Sequence, residues 1–302
     1  MRRRFATLDV FTETRYVGNP LAVVLDSDGL DTAAMQAITN EFKHSETVFV
    51  APPKDRANRA AVRIFTPGGE IPFAGHPTVG TAVLLARVDG GSSPRKLVLE
   101  EKIGPVLCDV TPVDADLGRT TFAIPHLPAQ GKAAFNTQSV AAALSLQPGD
   151  IGFDGLAPAR WSAGNPMIFV PVKTLDALGR SNPDLAKFAA VFSDPVDGPG
   201  KVFIFCGETD NRAHDFRARM FAPRWLTPHE DPATGSAVAA FSGLLAATGR
   251  YGNGEHRVCV AQGFEMGRAS EIILTLTIAG GRLTAATIGG GAVVVTEGTI
   301  EA

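Results

Sequence analysis

Cysteine is scarce in this sequence: Cys108, Cys206 and Cys259 are the only three in 302 residues, odd in number and unclustered. That excludes a disulfide framework, a clustered zinc site and a redox pair, and it fits a reducing cytoplasm. Three small buried hydrophobes on strands are expected instead. Basic runs are also lacking. None exceeds Arg2–Arg4, and 28 Lys and Arg against 31 Asp and Glu leave a net charge of −3, so there is no electrostatic case for nucleic acid. Asp9 breaks the apolar run after those arginines and argues against a signal-peptide core. Long hydrophobic runs are missing too. The longest uncharged stretches, around residues 71–86 and 233–249, are too short and too rich in Gly, Ser and Thr to span a bilayer. What remains is 45% apolar and 20% charged with 32 glycines, a globular composition rich in turns and strands and long enough for about two domains.

The sequence repeats itself. "YVGNPLAVV" (16–24) has a counterpart in "SAGNPMIFV" (162–170), and "VRIFTP" (62–67) in "ARMFAP" (218–223). "GHPTVGTA" (75–82) and "EDPATGSA" (230–237) superimpose with Pro77 on Pro232, Gly80 on Gly235 and Ala82 on Ala237. Three matches in one order, at offsets of 146, 156 and 155 residues, predict a duplicated domain. Pro, Gly and polar residues in "HLPAQGK" (126–132) place the boundary so that the halves are 1–127 and 128–302.

Each half opens on a Gly-Asn-Pro turn into an apolar strand. "DTAAMQAITNEF" (31–42) reads as a helix with Met35, Ile38 and Phe42 on one stripe. "ETVFV", "AVRIF" and "KLVLEE" in the first half, and "KVFIF", "DFRARMF" and "EIILTLTI" in the second, read as strands. Residues 78–86 and 234–247 read as helices with no charged residue on any face, and such a helix must be enclosed. The predicted fold is α+β: two pseudo-symmetric halves, each a curved, barrel-like, mainly antiparallel sheet around a central helix. The halves are expected to face each other across a cleft, a common place for a ligand.

The chemistry gathers at the starts of those helices. Asp231 reads as an N-cap, with Pro232 at the first helical position and Thr234 and Ser236 in the first turn; a capping Asp needs no catalytic role. His76 stands at the matching place and is not a favoured cap, which points to function. Two helix N-termini in one cleft would favour a carboxylate, with Gly75 and Gly235 letting it approach the backbone. Glu46, at the start of "ETVFV", has Lys201 as its counterpart. A strand-end Glu is usually solvated, yet this strand is apolar on both faces, so an inward Glu46 near a His is the other reading, one that would carry a proton to or from carbon.

"VFTETRYVGNPLAVV", "SETVFV", "FTPGGEIPFAGHPTVGTA", "FAPRWLTPHEDPATGSA" and "QGFEMGRAS" together resemble the PhzF (phenazine biosynthesis-like) family, with matches spread from Asp9 to about Gly298. The resemblance implies a fold shared with diaminopimelate epimerase, with C-terminal residues returning to the first half's sheet. It implies a cofactor-independent, metal-free isomerase that moves a proton between carbons of a small carboxylated, possibly cyclic, amino acid. The best-known member acts on trans-2,3-dihydro-3-hydroxyanthranilate. Glu46 would shuttle the proton, with His76, Asp231 and Ser236 around the substrate's polar groups and Gly75 and Gly235 beside them. A homodimer in the cytoplasm, with no nucleic-acid or membrane partner, is implied as well. The alternative is a non-catalytic protein that binds small anions or amino acids on the same fold. Epimerases of this fold carry two opposed cysteines at the helix starts; Gly75 and Asp231 stand there in this alignment, so two-thiol racemisation is not expected. Ala269, where the family pattern has Pro, is a local departure.

Overall fold

The structure, a computed structural model, describes residues 1–194, 198, 200–223 and 230–302. It forms two compact units, one of Met1–Pro125 with Ile288–Ala302 and one of His126–Thr287.

In the first unit, β1 (Arg2–Val10) lies antiparallel to β2 (Asn19–Val24), and β2 runs parallel to β3 (Glu46–Ala51). A parallel step needs a crossover, here helix α1 (Thr32–Phe42). Asp31 caps α1 by accepting from the Ala34 N–H at 2.8 Å, and Lys43 ends it in the left-handed conformation. The expected stripe docks this helix: Met35 is buried with Val24, Phe49 and Phe65, and Ile38 and Phe42 pack against them. β3 turns back into β4 (Ala60–Thr66), and β5 (Gly69–Ile71) folds onto β4. Helix α2 (Gly75–Val88) follows, then β6 (Arg95–Glu101) parallel to β4, and β7 (Gly104–Pro112) and β8 (Leu117–Ala123) in antiparallel succession. The last strand of the chain, β17 (Arg282–Glu301), pairs with both β8 and β1 and so closes an eight-strand barrel.

Helix α2 fills that barrel. Every residue from Gly75 to Ala86 is buried, as the absence of charge on this stretch predicts. The fit is tight at Gly80, where a Cβ would sit 2.6 Å from Leu21 Cδ2 and 2.8 Å from Val10 Cγ2.

The second unit starts with β9 (Ala129–Gly131), α3 (Thr137–Ala143), β10 (Ala159–Ser162) and β11 (Pro166–Pro171). Helices α4 (Leu175–Arg180) and α5 (Leu185–Phe192) lead to β12 (Val202–Cys206), β13 (Phe216–Phe221) and the short β14 (Glu230–Asp231). Helix α6 (Gly235–Ala247), β15 (Gly254–Gln262) and β16 (Ser270–Ala279) complete it. From β10 to β16 the pairings run antiparallel, parallel, antiparallel, antiparallel, parallel, antiparallel, the same order as from β1 to β7. Helix α6 is enclosed like α2: Gly235 and Ala237–Leu245 are all buried.

Strand pairing corrects the register in which the repeat was read. In the first hairpin Ile64 pairs with Ile71; in the second, Met220 pairs with Asp231. Ile71 therefore corresponds to Asp231, Pro72 to Pro232 and Gly75 to Gly235, and the partner of His76 is Ser236. The strand offset of 156 residues (64 to 220) becomes 160 (71 to 231), so the second hairpin loop is longer by four residues. Part of that loop, residues 224–229 of the "FAPRWLTPHEDPATGSA" motif, lies outside the described residues. The Pro-Thr-Gly match aligned residues on opposite sides of a helix start. Helix α2 begins two residues before Pro77, and α6 begins three after Pro232. Pro77 is tolerated inside the first turn because its missing N–H would have no helical acceptor there.

Candidate active site

Glu46 is the first residue of β3 and lies beside Leu21 in the parallel β2–β3 register. The chain before it is fixed by the Gly-Asn-Pro turn. Gly18 has a φ of +73°, and a Cβ there would come within 2.5 Å of Thr12 Cγ2 and 2.6 Å of the Val10 carbonyl oxygen, so only glycine fits. Asn19 is fully buried, and its Oδ1 accepts from Ser45 Oγ at 3.2 Å. The first motif thus holds the residue that precedes Glu46 in the second.

His76 is the second residue of α2. Its Nε2 lies 3.3 Å from Glu46 Oε2, with the side chains 5% and 17% exposed. The inward reading of Glu46 is the observed one. Burial pushes the His76 pKa down to about 3, and the neighbouring His44 charge acts in the same direction. The ring is therefore neutral at neutral pH, and the contact with Glu46 is not an ion pair with an imidazolium.

A pH dependence follows. The folded-state pKa of His76 lies below its ordinary 6.5, so as pH falls below 6.5 the unfolded chain takes up a proton that the folded chain refuses. This contribution to stability is present above pH 6.5 and is lost progressively as pH falls toward 3, by about tenfold in the folding equilibrium per pH unit. Urea titrations between pH 7 and pH 4 are expected to show a shallower decline for His76→Asn than for the native chain. Equal slopes would contradict a buried, neutral His76.

In the second unit Asp231 sits on β14, 8% exposed, and Thr234 Oγ1 donates to its Oδ2 at 2.5 Å. Neither Asp231 nor His76 is an N-cap. Ala74 holds that position for α2 and Thr234 for α6, because pairing with β13 keeps Asp231 extended and Pro232 favours the extended form in the residue before it. Gly75 and Gly235 are the first helical residues and both are buried. Ser236 is the residue of this helix start that keeps partial exposure. At the position matching Glu46 the second unit has Lys201, whose Nζ donates to Asn165 Oδ1 at 2.7 Å. The first unit thus carries Glu and His where the second carries Lys and Ser.

Gln262 was not singled out by the sequence, although it heads a quoted motif. It is fully buried; its Nε2 donates to the Asp231 carbonyl at 2.7 Å and to Thr234 Oγ1 at 3.1 Å, and its Oε1 accepts from the Thr234 N–H at 3.0 Å. The loop carrying Asp231 is thereby braced to β15. Gly263 follows with φ +79°, and a Cβ there would lie 2.5 Å from the carbonyl oxygens of both Pro232 and Arg268. The Arg268 N–H closes the loop onto the Gly263 carbonyl at 2.9 Å, one residue before Ala269. The readable signal was a Gln-Gly pair ending an apolar strand.

The model of the phenazine biosynthesis-like proteins matches residues 8–298. The chain belongs to the phenazine biosynthesis-like (PhzF) family. It is 45% identical to an uncharacterized isomerase of Mesorhizobium japonicum over 99% of this chain and 98% of that one. It is 31% identical to the trans-2,3-dihydro-3-hydroxyanthranilate isomerase of Pseudomonas fluorescens over 98% of both. A solved PhzF-family structure from Bacillus anthracis superimposes with a TM-score of 0.88 at 26% identity, over 100% of each chain. This PhzF chain has the barrel-around-helix fold of its relatives and is an isomerase by kinship. Nothing among these relatives supports a non-catalytic binding protein.

Proposed function

We propose that this isomerase moves a proton between two carbons of a small carboxylated, cyclic amino acid, with Glu46 as the group that takes and returns it. The observation that carries this reading is the 3.3 Å contact between Glu46 and a neutral His76 in a largely buried setting. As a carboxylate, Glu46 accepts the proton while the C–H electron pair moves into the substrate's π system. As the resulting acid, it returns that proton to a second carbon as the pair moves back. The neutral imidazole can hydrogen-bond substrate or carboxyl without fixing a positive charge beside them. Asp231 and Ser236, with Gly75 and Gly235, are assigned to the substrate's polar groups; support comes from the bracing of Asp231 by Thr234 and the partial exposure of Ser236. Thiol chemistry is disfavoured. Burial pushes Cys108 and Cys206 up to about 12 and Cys259 to about 11, so none supplies a thiolate at neutral pH.

The substrate class comes from the P. fluorescens relative, whose name specifies trans-2,3-dihydro-3-hydroxyanthranilate. The test is a screen of that compound and of cyclic and acyclic α-amino acids for catalysed deuterium uptake from solvent, which reports C–H cleavage without assuming a product. Failure of every candidate either to exchange or to isomerise would overturn the reading. All three cysteines are free, in keeping with a cytoplasmic site of action, and no helix among the described residues is long and apolar enough to cross a membrane. A homodimer is proposed from family resemblance; sedimentation at micromolar concentration should exceed the 31.7 kDa of one chain, and a monomer would refute it.

A further inference from the structure

The first unit holds a buried carboxyl, Glu101, on which no part of the proton shuttle draws. Glu101 ends β6, and along that strand Leu97, Leu99 and Glu101 alternate inward. Its Oε1 lies 2.7 Å from Thr78 Oγ1; its Oε2 is out of solvent and has no hydrogen-bond partner among the described residues. Thr78 stands two residues after His76 in the first turn of α2, and Thr78 Oγ1 is also 2.8 Å from the Ala74 carbonyl oxygen.

A hydroxyl has one hydrogen to give, and the Ala74 carbonyl already accepts from the Thr78 N–H at 3.3 Å, so the Thr78 hydroxyl can donate to Glu101 Oε1. That one neutral hydroxyl is the partner of a carboxyl whose Oε2 is buried without any among the described residues. An ionised Glu101 would be a buried anion with no counter-charge, a state a carboxyl avoids by keeping its proton.

We propose that Glu101 is a protonated carboxylic acid at neutral pH and a positioning residue, fixing through Thr78 the helical turn that carries His76. The surroundings agree. Burial pushes the Glu101 pKa up to about 8, against a smaller lowering by the Thr78 contact. Among the described residues Glu101 makes no ion pair. The titratable group that faces it is Cys108 on β7, pushed up to about 12 and itself uncharged; α2 offers only the Thr78 hydroxyl. The adjacent Glu100 points outward and accepts from the Lys54 and Asp55 N–H groups and from Asn58 Nδ2. The functional weight of this positioning rests on the role proposed for His76. The protonation state does not, and it is tested without substrate.

The folded-state pKa of Glu101 is raised above its ordinary 4.5, so its contribution to stability is complete below pH 4.5 and is lost as pH rises through about 8. Side-chain carboxyl carbons of 13C-labelled glutamates in the intact chain, followed by NMR from pH 5 to pH 10, should show a resonance titrating near 8. It should persist in Glu46→Gln and vanish in Glu101→Gln. The His76 ring resonances should shift with the same midpoint in the native chain and not in Glu101→Gln, whose amide can still pair with the Thr78 hydroxyl and preserves the turn. Melting temperature should fall between pH 5 and pH 8 more steeply for the native chain than for Glu101→Gln, while Glu101→Ala should melt about 5 °C lower at pH 6 through loss of the hydrogen bond. If every glutamate carboxyl in the native chain titrates below pH 6, or if the His76 ring ignores the titration near 8, the proposal is overturned; the native-chain titration decides even if a variant does not fold.

Discussion

Replacing Glu46 by Gln should slow the isomerisation by about 10²–10⁴-fold, or roughly 3–5 kcal/mol of transition-state stabilisation, while leaving substrate affinity within a few-fold. The amide has the carboxylate's shape and can still meet His76, whose Nε2 lies 3.3 Å from the side chain it replaces. What it loses is basicity, the property needed when the C–H bond breaks. The loss should appear in kcat and kcat/KM together, the mark of an interaction made in the transition state. The buried His76 is neutral and two residues from the Thr78 anchor, so it would not compensate as a cationic acid. Rate loss confined to KM would indicate that Glu46 binds substrate instead of moving a proton, and an unchanged rate would remove it from the mechanism.

Truncating Phe241 to Ala should destabilise the chain by about 3–5 kcal/mol, the usual cost of emptying a buried Phe site. Phe241 lies on α6 with no exposure, and its ring centroid is 4.7 Å from that of Phe205, 5.1 Å from Phe216, 5.5 Å from Phe169 and 5.9 Å from Phe203. Those rings come from β11, β12 and β13, so one side chain ties three strands to the helix they wrap. Each aromatic pair adds about 0.5–1.5 kcal/mol beyond area burial, which places the loss at the upper end of the range. A urea titration should show a lower midpoint with a similar slope, and Phe241→Leu should lose much less. A cost below about 1 kcal/mol would mean that the strands hold together without the enclosed helix.

The enclosed helices were legible because they lack charge on every face, and no solvent-facing helix is built that way. Strands β3, β4, β6, β12, β13 and β16 were legible from their apolar runs, and α1 from its stripe. The twenty-residue β17 was not. Its "GGGAVVV" core has the glycines of a turn, and only long-range pairing with β1 and β8 makes it a strand. The register of the repeat failed for a related reason: Pro, Thr and Gly recur on both sides of each helix start, and only the pairing of β14 with β13 shows that Ser236, not Asp231, answers His76. His76 was singled out as an unfavoured residue at a helix start, and the family motifs favoured the inward Glu46 that the structure brings to 3.3 Å from it. Gln262 and Glu101 stayed hidden because their roles depend on partners 28 and 23 residues away in sequence, joined only by the folded sheets.

The central claim is that this chain breaks and remakes a carbon–hydrogen bond through Glu46. The most direct test is to incubate trans-2,3-dihydro-3-hydroxyanthranilate, and the wider amino-acid panel, in D₂O with the native chain and with Glu46→Gln, following ring and α-proton signals by NMR. The account predicts loss of a C–H signal or catalysed isomerisation with the native chain for at least one cyclic amino acid, and neither with Glu46→Gln above the uncatalysed rate. Equal activity in both proteins, or neither exchange nor isomerisation by the native chain with any candidate, would contradict it.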